Sequence, residues 1–428
     1  MSLCDHTPYA REMAPFTDRQ HDELLFFVKA LTGYNVAPIE PLKTSIEKLQ
    51  FPTDHIQCPL RTAGEAIILN DMLASFLSSG MSGHVIAVSG GFGRDGHYHV
   101  VGAGNTGTKG VRRPSDELCT TLAWACEEFI LGSTMPLNPG DMFGVLVASL
   151  DICHAEVARR LKSMTPAASS TGALDEQGWQ PYIKFVSDAT VLQYFLERWK
   201  GLTSQGRTEV VIGYGQLLKD ASELWDKLKH FDSIQHDHKL KVIYDLNTIS
   251  EGLQLLRRFP RGTRVVIEWP QGPVDGDRVI RCQSFQHKEC QLHCEIYLAL
   301  YILFSESDVQ FHAFRVEENV KMFTIGCSKE SCVGCWDILL GLVRQESHND
   351  PQYVCRTRRS HGKCYETWCL TPHLNALPPS LHQTVTGPRR IQLLQSLNGA
   401  LKDSHQKFRQ RVESFIASIL AKDIAIAC

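Results

Sequence analysis

Two short motifs constrain this chain more than anything else in its 428 residues. His293-Cys294-Glu295 stands at the head of an unbroken apolar stretch, Ile296 to Phe304, and Cys332-Val333-Gly334-Cys335 opens the next amphipathic stretch, 37 residues after Glu295. Two cysteines at i and i+3 on a helix start point the same way. A fold that uses both motifs must bring two helix N-termini together. Around them the sequence alternates: Arg264 to Trp269 and Arg278 to Ser284 read as strands, Lys321 to Gly326 as another, and Tyr353 to Thr357 as a fourth. The resulting β-β-α-β-α-β order predicts a three-layer α/β unit.

The residue types at these positions suit a metal. Cys332 and Cys335 can grip one tetrahedral zinc, and His293 supplies a third ligand. A helix N-terminus favours thiolate over thiol, with Ser331 expected as the N-cap. Three protein ligands leave a fourth position for water, the layout of a catalytic zinc, and zinc brings the ionisation of water close to neutral pH. Glu295, two residues from a ligand, is near enough to take a proton from that water and hand it to a leaving amine. An HxE followed by CxxC, each opening a helix after a strand, matches the pattern of zinc deaminases. Two alternatives stay open here. One is a closed structural zinc with Cys290, Cys294 or Cys327 as fourth ligand; the other is a set of buried, unliganded thiols.

Further residues carry a resemblance. His293-Cys294-Glu295, the run Ile325 to Cys335 with Ser328-Lys329 at its turn, and Arg359-Ser360-His361-Gly362-Lys363 followed by Tyr365 and Trp368 resemble a fungal family of the deaminase superfamily. That family is itself similar to the deaminase domains of bacterial toxin systems. The resemblance covers about 260–372. It implies a cytidine deaminase-like fold, one catalytic zinc, and a nucleobase in nucleic acid or a nucleotide as substrate. By position it implies His293, Cys332 and Cys335 as ligands and Glu295 as proton shuttle. Ser331 replaces the Pro usual before the first cysteine. Cys294 stands where a small residue is usual and adds a thiol beside the metal.

The expected reaction is therefore zinc-dependent hydrolytic deamination, with a catalytically inactive deaminase-like scaffold for a partner or nucleic acid as the alternative. Residues 356–363 carry four positive charges and no acid, in a chain of net charge −3. Arg356, Arg358 and Arg359 are thus expected either beside a substrate phosphate or in a solvated basic loop; the resemblance implies a substrate role for His361 and for Trp368, which either stacks on a base or belongs to the core.

Elsewhere the pattern is mainly helical. Thr17 is expected to cap a first helix and Ala63 to Leu77 to form a second. A β-hairpin is expected around Gly90 to Gly96, with helices near 115–131, 144–163, 186–200 and 215–229. A linker is expected at 164–176. The organisation expected is a mainly helical region at 1–235, the deaminase-like domain at 236–385, and a long C-terminal helix at 386–428 that packs on the chain's own helices. His154-Ala155-Glu156 is a second HxE, but no CxxC follows it before 332, so it reads as an ordinary helix surface. Gly102 to Gly107 formally matches GxGxxG without a helix opening at once, and reads as a turn. Cys355, His361, Cys364 and Cys369 do not have the spacing of a common zinc knuckle. Met1 to Met13 lacks the apolar core of a signal peptide, and no run has the length of a membrane span. Most of the fifteen cysteines are expected as thiols or ligands, and the location as intracellular, cytoplasmic or nuclear.

Overall fold

The computed structural model describes residues 15–34, 59–78, 85–107, 110–111, 114–132, 143–162, 176–228, 238–270, 292–305, 309–317, 319–329, 331–345, 347, 350–358, 360, 363–365, 368, 370, 381 and 385–427. The expected strand 278–284 and nearly all of the expected linker 164–176 lie outside these residues, as do Arg359, His361 and Cys369.

In chain order the elements are α1 (Asp18–Ala30), α2 (Ala63–Ser78), β1 (Ile86–Phe92), β2 (Tyr98–Gly104), β3 (Thr106–Gly107), β4 (Gly110–Val111), α3 (Asp116–Gly132), α4 (Phe143–Lys162), α5 (Glu176–Leu196), α6 (Ser204–Leu228), α7 (His238–Leu256), β5 (Val265–Glu268), α8 (Cys294–Phe304), β6 (Phe314–Glu317), β7 (Val320–Thr324), β8 (Gly326–Cys327), α9 (Val333–Gly341), β9 (Val343–Arg344), β10 (Gln352–Arg356) and α10 (Gly387–Ala427). Thr17 caps α1 in a capping box with Gln20.

The hairpin β1–β2 is the centre of a four-stranded sheet ordered β5-β2-β1-β8, and a second sheet is ordered β6-β7-β10-β9. β7 and β8 are separated only by Ile325, whose amide donates to the Arg356 carbonyl at 2.7 Å, so the two sheets meet along one stretch of chain. β8 runs antiparallel to β1, and β7 runs parallel to β10. β5 pairs in parallel with β2, Tyr98 opposite Val265. Strand pairing thus crosses the boundary expected at 235. The hairpin expected within the helical region supplies the middle of the sheet that carries the site.

Side-chain alternation along the hairpin explains how one sheet holds two cores. Ile86, Val88, Tyr98 and Val100 join a cluster with residues of α2 and α7. Ala87, Val101 and Ala103 point the other way, into a cluster with α8, α9 and α10. β1 also runs further than its glycines suggest. The Tyr98 ring lies where a Cβ on Gly90 would sit, 2.9 Å from the nearest ring atom, so glycine there admits a cross-strand aromatic rather than a turn.

α2 lies against β8 at contact distance. A Cβ on Gly326 would fall 2.2 Å from backbone atoms of Asn70 and Asp71. Buried Asn70 donates to the Thr324 carbonyl and hydroxyl at 3.2 and 3.1 Å and accepts from the Tyr98 hydroxyl at 3.1 Å, and Asp71 accepts from the Cys327 amide at 2.7 Å. Gly326→Ala must push helix and strand apart. It is expected to destabilise the fold by about 3 kcal/mol, read as a lowered denaturant midpoint with an unchanged slope.

Between the hairpin and α8, α3 to α7 pack each against the next, and α7 returns to α2. α5 and α6 begin about ten residues earlier than the sequence suggests, and α7 has no counterpart among the expected helices. α10 packs on α1, α8 and α9, burying Leu397, Leu401 and Phe408, while Ile419 further along the helix is 43% exposed. No described helix is long and apolar enough to cross a membrane.

Candidate metal centre

His293 is the N-cap of α8 and Cys332 the N-cap of α9. The two helix starts face one another across the cluster that contains both cysteines. His293 makes no side-chain cap bond; the first amide of α8, on Cys294, is instead taken by the Asn105 side-chain oxygen at 2.7 Å. Asn105 follows β2 directly, so the hairpin caps the helix and the imidazole can turn to the sulfurs. His293 Nδ1 lies 3.5 Å from Cys332 Sγ and 3.3 Å from Cys335 Sγ. Cys332 Sγ also accepts from the Cys335 amide at 3.4 Å. The N-cap is thus Cys332, one residue later than expected. Ser331 is fully buried in a bridge to Ser360, with its hydroxyl 3.9 Å from Cys327 Sγ.

The three ligand atoms lie within 4.8 Å of one another, all on buried residues, and form the one such group among the described residues. Tetrahedral bonds of about 2.05 Å to nitrogen and 2.3 Å to sulfur place two such donors roughly 3.6 Å apart. The observed spacings fit a zinc ion, and one nitrogen with two sulfurs is a donor set that zinc favours. Cys294 and Cys327 are not in the group. Neither is His154, which sits half-buried on α4. Cys355 and Cys364 are buried free thiols, each pushed by burial up to about 12.

Glu295 lies in the first turn of α8 and is 2% exposed. Burial lifts its carboxyl above the ordinary range, against the opposing pull of His293. The Cys294 thiol donates to its Oε2 at 3.4 Å. Burial also opposes ionisation of Cys332, but hydrogen bonds and charge from Cys335 and His293 override it and hold this thiol well below its usual range, while Cys335 is pushed well above. Burial disfavours charge on His293 as well, and the Cys332 thiolate more than offsets this. The described residues thus gather one carboxyl, one imidazole and two cysteine sulfurs in a buried corner.

This geometry agrees with the comparison to known families. Residues 292–373 match the family model described as OTT_1508-like deaminase. This segment is deaminase-like. It spans 82 of the 428 residues and contains all four residues of the centre. Neither a curated protein nor a solved structure matches the chain.

The residues expected to hold substrate are placed differently from one another. Arg356, at the end of β10, donates to the carbonyls of Leu339, Cys355 and Leu340 at 2.7, 2.8 and 3.5 Å. It therefore satisfies the last turn of α9, whose carbonyls lack helical partners, rather than presenting its charge to a substrate. Arg358 is half-buried with its guanidinium 5.0 Å from the Tyr244 ring, in a small cleft bounded by α2 and α7. Trp368 is 1% exposed and lies against Gly334 between the two cysteines, where a Cβ would come within 2.7 Å of the indole. It belongs to the core of the deaminase-like segment. Arg359 and His361 lie outside the described residues. Two contributors went unassigned by sequence: Asn105, which is 189 residues from the amide it caps, and Tyr365, 42% exposed with its ring 6.0 Å from that of His293. Nothing near Asn105 in sequence marks its role, whereas Tyr365 lies in the segment that carries the resemblance, which assigned it no role of its own.

Proposed function

We propose that this chain is a zinc-dependent hydrolytic deaminase acting on a nucleobase, in nucleic acid or in a nucleotide. The observation that carries the reading is the convergence of His293, Cys332 and Cys335 beside the buried carboxyl of Glu295. We read the catalytic unit as three layers, α2 and α7 on one face of the sheet and α8 and α9 on the other, drawn from both sides of residue 235.

Zinc held by these three residues supplies Lewis acidity that makes the ionisation of water accessible near neutral pH. The chain's own work is proton handling. In hydrolytic deamination a water oxygen bonds to the ring carbon, the bond from that carbon to the exocyclic nitrogen breaks, and ammonia leaves. Glu295 takes a proton from the water, returns it to the ring nitrogen and then serves the departing amine. A carboxyl lifted by burial suits this work, because it accepts a proton more readily than an exposed one. Cys294 orients it through Oε2. Tyr365, partly exposed beside His293, stands where a base entering the site passes.

The test is a screen for ammonia release and substrate mass shift over nucleosides, nucleotides, and single- and double-stranded nucleic acids, with Glu295→Ala in parallel. The reading expects turnover of at least one phosphate-bearing substrate by the wild type and none by the variant. Equal ammonia release from both proteins rejects it.

A further inference from the structure

The basic run expected to meet substrate loses Arg356 to the end of α9, but another basic surface is built into the fold. Residues 257–264 read Arg-Arg-Phe-Pro-Arg-Gly-Thr-Arg, four positive charges and no acid. They join α7 to β5. Phe259 is buried and anchors the segment at the hairpin, its ring 4.8 Å from that of Phe92 and 5.1 Å from that of Tyr98. The next four residues form a tight turn. The Thr263 amide donates to the Pro260 carbonyl at 3.1 Å, its hydroxyl to the same oxygen at 2.7 Å, and Gly262 has φ of 80°. Positive φ at the third position with this bond is the type II arrangement, which glycine permits at no steric cost. Arg261 stands exposed at its tip. The turn closes on the hairpin through the Tyr98 amide, which donates to the Arg264 carbonyl at 2.9 Å, and through the Arg264 amide and His97 Nδ1 at 3.4 Å.

Exposed Arg258, Arg261 and Arg264 are therefore held on a stiff scaffold, beside exposed Arg94 on the hairpin tip and Arg61 before α2. Three nearby acids are engaged: Glu65 with Arg258 at 2.6 Å, Asp95 with His99 at 2.9 Å, and Glu127 with the Val265 amide at 3.0 Å. Aromatic anchoring, a glycine turn and a cross-strand amide are more order than a solvated loop needs.

Position decides what this surface serves. It lies at the start of β2, whereas the metal centre lies beyond the end of β2, at Asn105 and Cys294. Seven strand residues separate them, roughly 20 Å at the rise of a β-strand. A mononucleotide in the centre does not span that distance, but a strand whose phosphates recur every ~3.4 Å along a helix does.

We propose that the arginine turn 257–264 is a docking surface for the phosphate backbone of a nucleic-acid strand, so that the substrate of the centre is a polymer. The polymer assignment rests on the deaminase reading; the docking surface does not. The experiment measures binding of a fluorescent single-stranded oligonucleotide of roughly 15 nucleotides to the full chain between about 50 and 200 mM salt. Arg261→Gln/Arg264→Gln is the variant, since both side chains are exposed and the fold does not depend on them. Binding is expected to weaken by about tenfold at low salt, and the log–log salt slope to fall by about 1.4, roughly 0.7 for each arginine–phosphate pairing removed from a single strand, at unchanged Tm. Unchanged affinity and slope overturn the proposal. So does a wild type that binds phosphatidylserine vesicles and not the oligonucleotide. Deamination assays run alongside separate the two readings. Loss of binding in the variant, with neither mononucleotide nor oligonucleotide deaminated by the wild type, upholds the surface and rejects the deaminase. Mononucleotide turnover with oligonucleotide binding equal in both proteins upholds the deaminase and rejects the surface.

Discussion

Replacing Glu295 with alanine is expected to lower kcat by about a hundred- to ten-thousand-fold, the usual contribution of a positioned acid–base group, while zinc content stays at that of the wild type. The physical ground is its placement. Glu295 shares a helix start with His293 and is not among the three convergent ligand atoms. It is 2% exposed, and burial raises its carboxyl above the ordinary range. Burying an ionisable carboxyl opposes folding, and the pull of His293 does not fully offset that here. Its removal is therefore expected to leave Tm unchanged or to raise it, the pattern of a group kept for activity at the expense of stability. Glu295→Gln separates charge from shape and should lose turnover to a similar degree. His154→Ala, on the other HxE, should leave activity unchanged. If Glu295→Ala retains turnover while His154→Ala abolishes it, the wrong motif has been taken as the centre.

Cys332→Ser is expected to reduce zinc from about one ion per chain to near zero, and to lower stability by several kcal/mol, because metal affinity is folding free energy in such a site. A serine hydroxyl is a poor replacement for a thiolate in an N,S,S set. It also leaves His293 and Cys335 facing one another in a buried corner with their shared partner gone. Cys335→Ser should behave alike. A chelator should lower the Tm of the wild type toward that of the variants and leave the variants unmoved. Metal analysis beside thermal unfolding reads both effects. Full zinc retention in both serine variants rejects the ligand assignment.

The site was legible because its chemistry is local. His293 and Glu295 are two residues apart, Cys332 and Cys335 three, and each pair begins a helix, so the geometry within a pair follows from helix pitch alone. The helices were legible for the same reason, as with α1, α2 and α8. What failed was long-range. The expected Ser331 cap gave way to Cys332 because Ser331 is drawn into the bridge to Ser360. The basic run 356–363 reads as one surface, yet Arg356 turns inward to the carbonyls of α9, and only the packing of β10 beside that helix shows it. Gly90 and Gly91 look like a turn until the Tyr98 ring is placed against the first and the Phe311 ring against the second.

Residue type and spacing by themselves determined the candidate metal donors, the candidate proton carrier and the helices that begin at them, since these depend on contacts within a few residues. Tertiary structure alone decided which strands stand beside them. Strand pairing depends on hydrogen bonds between segments far apart in the chain, and nothing in Ile86 to Gly104 announces that its neighbours are Val265 to Glu268 on one side and Gly326 to Cys327 on the other. The same holds for Asn105 at the first amide of α8 and for the arginine turn against the hairpin. Each is an encounter of sequence-distant groups, fixed by the burial of two apolar faces on one sheet.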